Sequence, residues 1–255
     1  MIPLRDQELI RQRFQRDLKS RLRIDFFTQK PSSVYVPGRE CLHCETVQTM
    51  LQEIAGLSPR ISLTTHELEA ASRPAAEFSV DRVPAIVTRG QANRPLRFFG
   101  LPSGHQFGAF IEALIETASG IFDLQEQTRR TLRRLKSDVR LQVLVAPDCP
   151  YSASMAQLAY RLGLNNLRIK VSIIEVLEFP PIIQRYAIGA VPVTVIDEQS
   201  VIAGALDEAA LAQNLLLAAE GKPAVASRTA PVTPIQQPAG GSGMRTSPSG
   251  LILPA

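Results

Sequence analysis

The chain repeats itself, and that repeat limits what it can fold into more than any other feature. When Cys41 is laid over Cys149, Val47, Met50, Leu51 and Ile54 fall on Met155, Leu158, Ala159 and Leu162. In both copies these are positions i, i+3, i+4 and i+7, the apolar face of one helix. Farther on, Arg60, Ile61 and Leu63 fall on Arg168, Ile169 and Val171, which reads as a strand in each copy. Phe78 falls on Tyr186 and Val83-Pro84 on Val191-Pro192, with no gap between cysteine and proline. A strand opens each copy (Leu22–Thr28 and Val139–Val145), and a helix closes it (104–117 and 207–219). Before the closing helix, the first copy has strand-like runs at 85–88 and Leu96–Phe99, split by a turn at 90–93. The second has Val193–Ile196 and 201–203, split at 197–200. Each unit therefore reads βαβαββα, and such alternation predicts an α/β sheet with helices on its faces.

The expected organisation is a first unit over residues 1–120, a second over 121–221 and a tail over 222–255. A helix at 4–21 precedes the first strand, and another near 123–137 joins the units. From residue 222 the composition turns to Pro, Ala, Ser, Gly and Thr, which predicts a disordered tail. Pro231-Val-Thr-Pro234 within it has the spacing of a ligand for a proline-binding groove. That spacing is common in such tails, and the linker reading is preferred. The first copy also carries extra residues, 30–38, between strand and cysteine, read as a loop beside the candidate site.

Composition narrows the function classes. The 255 residues are 45% apolar, enough for real cores, and the net charge of +4 is modest. Arginines cluster at 11–23 and 129–140, but they alternate with Leu9, Phe14, Leu18, Leu132 and Leu135. They read as solvated faces of amphipathic helices, so no nucleic-acid partner is expected. No stretch is long and apolar enough to span a bilayer, so no membrane partner is expected. Residues 1–14 are charged and lack an apolar signal core, which predicts a cytoplasmic location. Three cysteines are too few for a structural disulfide framework. A short-spaced pair in a reducing compartment points to redox or metal chemistry instead.

Cys41-Leu42-His43-Cys44 lies between a strand and a helix. The spacing predicts Cys41 at the helix N-terminus and Cys44 in the first turn, where free N–H groups and the helix dipole favour a thiolate. A thiolate is the attacking species in disulfide exchange, and the two-residue spacer lets the second cysteine attack the mixed disulfide formed by the first. His43, when charged, would stabilise a Cys41 thiolate further. The competing reading is half of a zinc site. Only Cys149, His66 and His105 remain as further ligands, and none is paired at ligand spacing. No metal and no organic cofactor is therefore expected. Val83-Pro84 and Val191-Pro192 each precede strand residues, an awkward place for proline that a cis bond explains. Such a loop leaves the residue before proline free to pair its backbone with an extended substrate.

These residues resemble a known family. The Cys-x-x-Cys, the Val-Pro before a strand and the run Phe98-Phe99-Gly100-Leu101-Pro102-Ser103-Gly104-His105 are similar to the two-unit, glutaredoxin-like protein disulfide oxidoreductases of the thioredoxin superfamily. Cys149-Pro150-Tyr151 resembles the glutaredoxin motif. The resemblance covers about residues 4–220. It implies tandem thioredoxin-like units that reduce, oxidise or isomerise protein disulfides, with Cys41, Cys44 and Cys149 at the motif positions. The implied partners are disulfide-containing proteins and an electron donor, either a reductase or a small thiol. In the fuller members the second unit also has a Cys-x-x-Cys, whereas here Ser152 stands at its last position. A serine cannot resolve a mixed disulfide. Three readings of Cys149 stand: a monothiol site, a relay to Cys41 and Cys44, or a relic on a unit that binds partners. For the whole chain, the alternatives to an enzyme are a redox-sensing adaptor and a dedicated electron relay to a peroxidase, since the two-unit fold also resembles the N-terminal relay domain of peroxide-reductase flavoproteins.

Other polar residues have bland readings. Asp25, in the first strand, is a possible proton shuttle for Cys44 but reads as a surface aspartate. Glu175 reads as solvated. His66 reads as the surface start of a helix, and His105 as a helix start. Tyr151 and Tyr186 are placed near Cys149, with Tyr186 in the core.

Overall fold

In the computed structural model, residues 2–29, 41–69, 72–225, 232–235, 245–246 and 252–253 are described. The chain opens with α1 (Leu4–Asp17). The first repeat follows as β1 (Leu22–Thr28), α2 (Cys44–Gly56), β2 (Ile61–Glu67), α3 (Arg73–Phe78), β3 (Ala85–Arg89), β4 (Leu96–Phe99) and α4 (His105–Ser119). After α5 (Glu126–Arg133) comes the second repeat. It comprises β5 (Val139–Val145), α6 (Pro150–Asn165), β6 (Ile169–Glu175), a 3-10 turn at Val176–Glu178, α7 (Pro180–Tyr186), β7 (Ala190–Val191), β8 (Val193–Ile196), β9 (Ser200–Ala203) and α8 (Glu208–Ala219). Short strands β10 (Thr233–Pro234), β11 (Arg245–Thr246) and β12 (Ile252–Leu253) follow. The doubled βαβαββα order is the one the repeat predicts. Among the described residues no helix is long and apolar enough to cross a membrane.

Three elements depart from the sequence expectation by more than two residues or in kind, each for a local reason. Helix α1 stops at Asp17 because Leu18 leaves helical geometry (ψ 84°) to bury its side chain completely, which turns the chain towards β1. Helix α5 is shorter than 123–137 because Leu124 and Leu135, on either side of it, are core anchors, and the Arg129 guanidinium ties off the Leu124 and Phe122 carbonyls. His66 lies in a strand, not at a helix start. Strand β2 runs through to Glu67 because it pairs in parallel with the whole of β1, Leu22 against Ile61 to Thr28 against Glu67. Helix α3 begins later, where the Ser72 hydroxyl accepts the Ala75 N–H and Pro74 occupies the first turn.

The sheet is continuous across both repeats, with strand order β2-β1-β3-β4-β6-β5-β8-β9. Its joint is the parallel pair β4 and β6, in which Arg97, Phe98 and Phe99 lie opposite Ser172, Ile173 and Ile174. The two faces bury different helices. Ile24, Phe26, Phe98, Val143 and Ile173 pack with Phe14 of α1, Val47 of α2, Leu114 of α4, Ala156 of α6 and Leu215 of α8. Phe27, Val87, Phe99, Leu144 and Ile174 pack on the other face with Phe78 of α3 and Ile183 of α7. Successive strand residues divide between the faces, as the pleat requires.

The Phe98–His105 run makes the clasp between repeats. Gly100 has φ +103°, and a β-carbon there would stand 2.8 Å from Glu175 Cβ. The Leu101 N–H donates to Glu178 Oε1 (2.6 Å) and the His105 N–H to the Pro147 carbonyl (2.8 Å). Gly104, the residue before α4, has φ +56° and ψ −132°, a conformation suited to glycine. A β-carbon there would lie 2.4 Å from the Pro147 carbonyl oxygen, a backbone atom that cannot swing aside. Buried Arg97 bridges the repeats from behind, donating to Ser172 Oγ and to the Phe78 carbonyl (both 3.1 Å). Gly104→Ala is therefore expected to destabilise the protein by at least about 2 kcal/mol, from backbone strain plus overpacking. The checking measurement is the urea midpoint against that of the wild type.

Candidate functional site

Cys41 and Cys44 are joined in a disulfide, their Cα atoms 5.4 Å apart. The helix they introduce starts at Cys44, with the His43 carbonyl accepting the Val47 N–H (2.8 Å). Cys41 thus stands ahead of the helix, not at its cap as the spacing predicts. In the second repeat Cys149 is the cap itself, and its sulfur accepts the Ser152 N–H (3.3 Å). The residue that follows each cysteine explains the difference. Pro150 arrives with helical φ already set, so α6 begins at once, whereas Leu42 and His43 form a turn first. The turn leaves the two sulfurs in different surroundings. Cys44 is buried (6% exposed), Cys41 is partly exposed, and Leu42 beside it is 81% exposed.

Both Val83-Pro84 and Val191-Pro192 have cis peptide bonds. Strand β3 starts at Ala85, opposite Phe27, so Pro84 lies at the end of β1 from which the chain leads to Cys41. Pro192 is placed in the same way at the end of β5, since Val193 is opposite Leu144. There the closeness of cysteine and proline loop is direct: the Cys149 thiol donates to the Val191 carbonyl at 3.6 Å. Val83 is partly exposed, while Val191 is fully buried. The expected loop at 30–38 lies outside the described residues.

The clasp brings two carboxylates of the second repeat towards the Cys41–Cys44 site. Glu175, read from the sequence as solvated, is 2% exposed, because the β4–β6 joint and Gly100 close over it. Its oxygens accept the Leu177 and Glu178 N–H groups (both 3.0 Å). Burial pushes its carboxyl up to about 7, against those two bonds, and the charges of Glu178 and Asp148 add to the rise. Burial raises Glu178 as well, opposed by the Leu101 N–H and by the charge of nearby His43. Buried Glu175 therefore holds its proton towards neutral pH, and beside it the half-buried Glu178, also raised, feels the charge of His43, which lies between the two cysteines. The one sequence signal of the two carboxyls is the glycine opposite them, which sits in another unit.

The remaining polar residues separate into those near a cysteine and those that hold the fold. Asp25 is buried, not on the surface as expected, because Arg89 grips one oxygen (2.6 and 3.2 Å) and His66 the other (2.9 Å). Phe27 stacks on His66 at 4.9 Å, and Arg89 lies over Phe78 at 4.4 Å, so this is a filled cross-strand cluster. His105 opens α4. Cys149 and Ser152 are both fully buried, and the Ser152 hydroxyl has no hydrogen-bond partner among the described residues. Tyr151 and Tyr186 are partly buried against the cluster that contains Cys149. No group of three or more His, Cys, Asp or Glu side chains suited to a metal occurs among the described residues.

Residues 139–216 match the family described as thioredoxin domain. A protein disulfide oxidoreductase from Aeropyrum pernix K1 superposes with a TM-score of 0.77, at 22% identity, over 88% of this chain and 96% of that one. The chain is a thioredoxin-fold protein. The alkylhydroperoxide reductase AhpF of Enterococcus faecalis V583 shares the same paired thioredoxin fold, with a TM-score of 0.73 at 19% identity over 84% of this chain and 99% of that one. The corresponding alkyl hydroperoxide reductase of Xanthomonas campestris pv. phaseoli is 27% identical over 143 residues, 56% of this chain. The chain spans 25% of the length of that curated relative.

The raised Glu175 carboxyl has a consequence for stability. The folded thioredoxin pair holds this proton more tightly than the unfolded chain, whose carboxyl titrates near 4.5. The associated stability is fully present below about 4.5 and is lost as pH rises through about 7. Glu175→Gln cannot ionise and escapes that loss. The stability of wild type relative to Glu175→Gln is expected to fall by about 3 kcal/mol between pH 4.5 and pH 8, as read by urea unfolding at the two pH values.

Proposed function

We propose that the chain is a thiol–disulfide oxidoreductase in which residues 1–120 carry the redox centre, with Cys41 as the attacking thiolate and Cys44 as the resolving thiol. The observation that carries this reading is the unequal exposure of the joined pair, an open Cys41 bonded to a 6%-exposed Cys44. A substrate disulfide can reach only the open sulfur. The covered one is confined to intramolecular attack.

In the reducing direction, the Cys41 thiolate attacks one sulfur of a substrate disulfide. The substrate S–S bond breaks, a mixed disulfide forms on Cys41, and the first substrate thiolate leaves and takes a proton. Cys44, deprotonated, then attacks the Cys41 sulfur. The mixed disulfide breaks, the second substrate thiolate leaves, and Cys41 and Cys44 end as the disulfide. Two electrons have passed to the substrate, and the reverse sequence oxidises a substrate dithiol. Val83, next to Pro84, offers backbone groups to an extended substrate. His43 favours the Cys41 thiolate when charged, and Glu178, its carboxyl raised by burial, faces His43 from the second repeat with Glu175, raised to about 7, next to it.

Residues 121–221 serve as scaffold in this reading. Cys149 is buried and Ser152 cannot resolve a mixed disulfide, which supports neither a monothiol site nor a relay through Cys149. Each cycle needs a redox partner that returns or removes two electrons, either a reductase or a small thiol, in the cytoplasm. The similarity to alkyl hydroperoxide reductases supports a narrower form, in which the pair passes electrons towards a hydroperoxide-reducing partner.

Insulin-disulfide reduction with dithiothreitol as donor tests the proposal. Wild type is expected to turn over many times, Cys41→Ser and Cys44→Ser to fall to the rate of dithiothreitol alone, and Cys149→Ser to stay near wild type. A wild-type rate no greater than that of dithiothreitol alone would remove the general reductase and leave the dedicated relay or a redox sensor.

A further inference from the structure

The tail returns to the second repeat. Strand β10 (Thr233–Pro234) pairs antiparallel with β7, Thr233 opposite Val191 and Pro234 opposite Ala190. The Ile235 N–H donates to the Gly189 carbonyl at 3.0 Å. Opposed residues in an antiparallel pair alternate between hydrogen-bonded and non-hydrogen-bonded positions. The Ile235–Gly189 bond therefore makes Thr233 and Val191 a hydrogen-bonding pair, and Pro234, which has no N–H, falls where none is required. The Ile235 side chain packs against the apolar cluster of Ile188, Val191 and Val193, and Val232 lines a cleft with Tyr186 and Val201. Upstream, the Asn214 side chain accepts the Val225 N–H (2.7 Å) and donates to the Val225 carbonyl (3.0 Å), which fixes where the tail leaves α8. The segment it reaches is the one immediately before cis Pro192, and the Val191 carbonyl in that segment also accepts the Cys149 thiol.

We propose that Val232–Ile235 is a built-in occupant of the backbone edge before cis Pro192, the edge that such a loop offers to an extended substrate, and that it holds this edge against extended, apolar, proline-containing segments of partner proteins. The edge supplies main-chain hydrogen bonds that any extended chain can use, and the cleft and the Ile188 cluster select apolar side chains on either side of a proline at the unbonded position. The sequence Val232-Thr-Pro-Ile235 meets each of these requirements. A tethered occupant acts at an effective concentration of about 1 mM, so it raises the threshold for a partner without blocking a strong one. The second repeat thus acts as a gated docking module, independently of thiol exchange in the first.

The test uses the full-length chain and a fluorescein-labelled peptide spanning residues 230–237. Thr233→Pro places a proline at a hydrogen-bonding position, and Ile235→Asp puts a charge on the apolar cluster, so each should release the tail while leaving the edge intact. Fluorescence anisotropy is expected to show roughly tenfold tighter peptide binding to either variant than to wild type. A peptide carrying Asp at the position of Ile235 is expected not to bind either variant. Hydrogen exchange at the Ile235 amide should be slow in wild type and fast in Thr233→Pro. Equal peptide affinity for wild type and both variants, or no binding to any, would overturn the proposal. A wild-type dimer that Thr233→Pro dissolves would also overturn it, by placing the tail on a second copy.

Discussion

The parallel pairing of β4 with β6 is the interaction on which the rest of the molecule depends. Separated, each repeat would end its sheet in an open strand, with a row of unpaired N–H and carbonyl groups and an apolar residue on each face. Joined, Phe98 packs edge-on against Phe110 on one face, while on the other Phe99 lies under the Arg82 guanidinium, which also covers Phe179 of the second repeat. Burying Arg97 in the joint is tolerable because Ser172 and the Phe78 carbonyl accept its N–H groups. The pairing also fixes the chemistry. It sets the loop after β4 against the turn after β6, and so brings Glu178 of one repeat within electrostatic reach of His43, between the cysteines of the other.

This explains which parts of the molecule are legible in its sequence. Each repeat buries its own helix face and strands, so the core positions recur with the same spacing, and the order of elements can be read from that recurrence. The cysteine and proline pairs can be read for the same reason, since both lie at strand ends within one repeat. The joint between repeats cannot. An edge strand that pairs across a repeat boundary has the same alternation as one that faces water. Gly100 and Gly104 are visible as part of a specific run, but the partners that require them, Glu175 and Pro147, lie in the other repeat. Glu175 and Asp25 both defy their sequence reading, because a charged residue in a strand defaults to the surface unless its burial partners are known.

The two repeats share a backbone plan and differ in what their cysteines can do. A single proline accounts for much of this. Pro150 starts α6 directly after Cys149, so the sulfur is drawn into the cap and its thiol is spent on the Val191 carbonyl. In the first repeat the turn through Leu42 and His43 holds Cys41 out from the helix, where solvent reaches it. Ser152 shows the other side of the divergence. Its buried hydroxyl occupies the place of a resolving thiol without a hydrogen-bond partner among the described residues, a modest penalty that a sulfur would not incur.

A dithiol site must also manage protons, because each exchange step releases a thiolate and the resolving thiol must lose its proton while buried. A charge cannot simply be placed beside a covered sulfur, since an unpaired buried carboxylate is itself costly. Here burial raises both carboxyls, Glu175 to about 7, while backbone N–H groups oppose the rise and keep the ionised forms attainable. Glu175 takes both donors of the turn that follows β6, and Glu178 takes the Leu101 donor from the opposite repeat. Because Leu101 belongs to the clasp, the state of these acids is coupled to the joint itself. The contact that joins the repeats at Leu101 therefore also opposes the rise of Glu178, the carboxyl that feels the charge of His43.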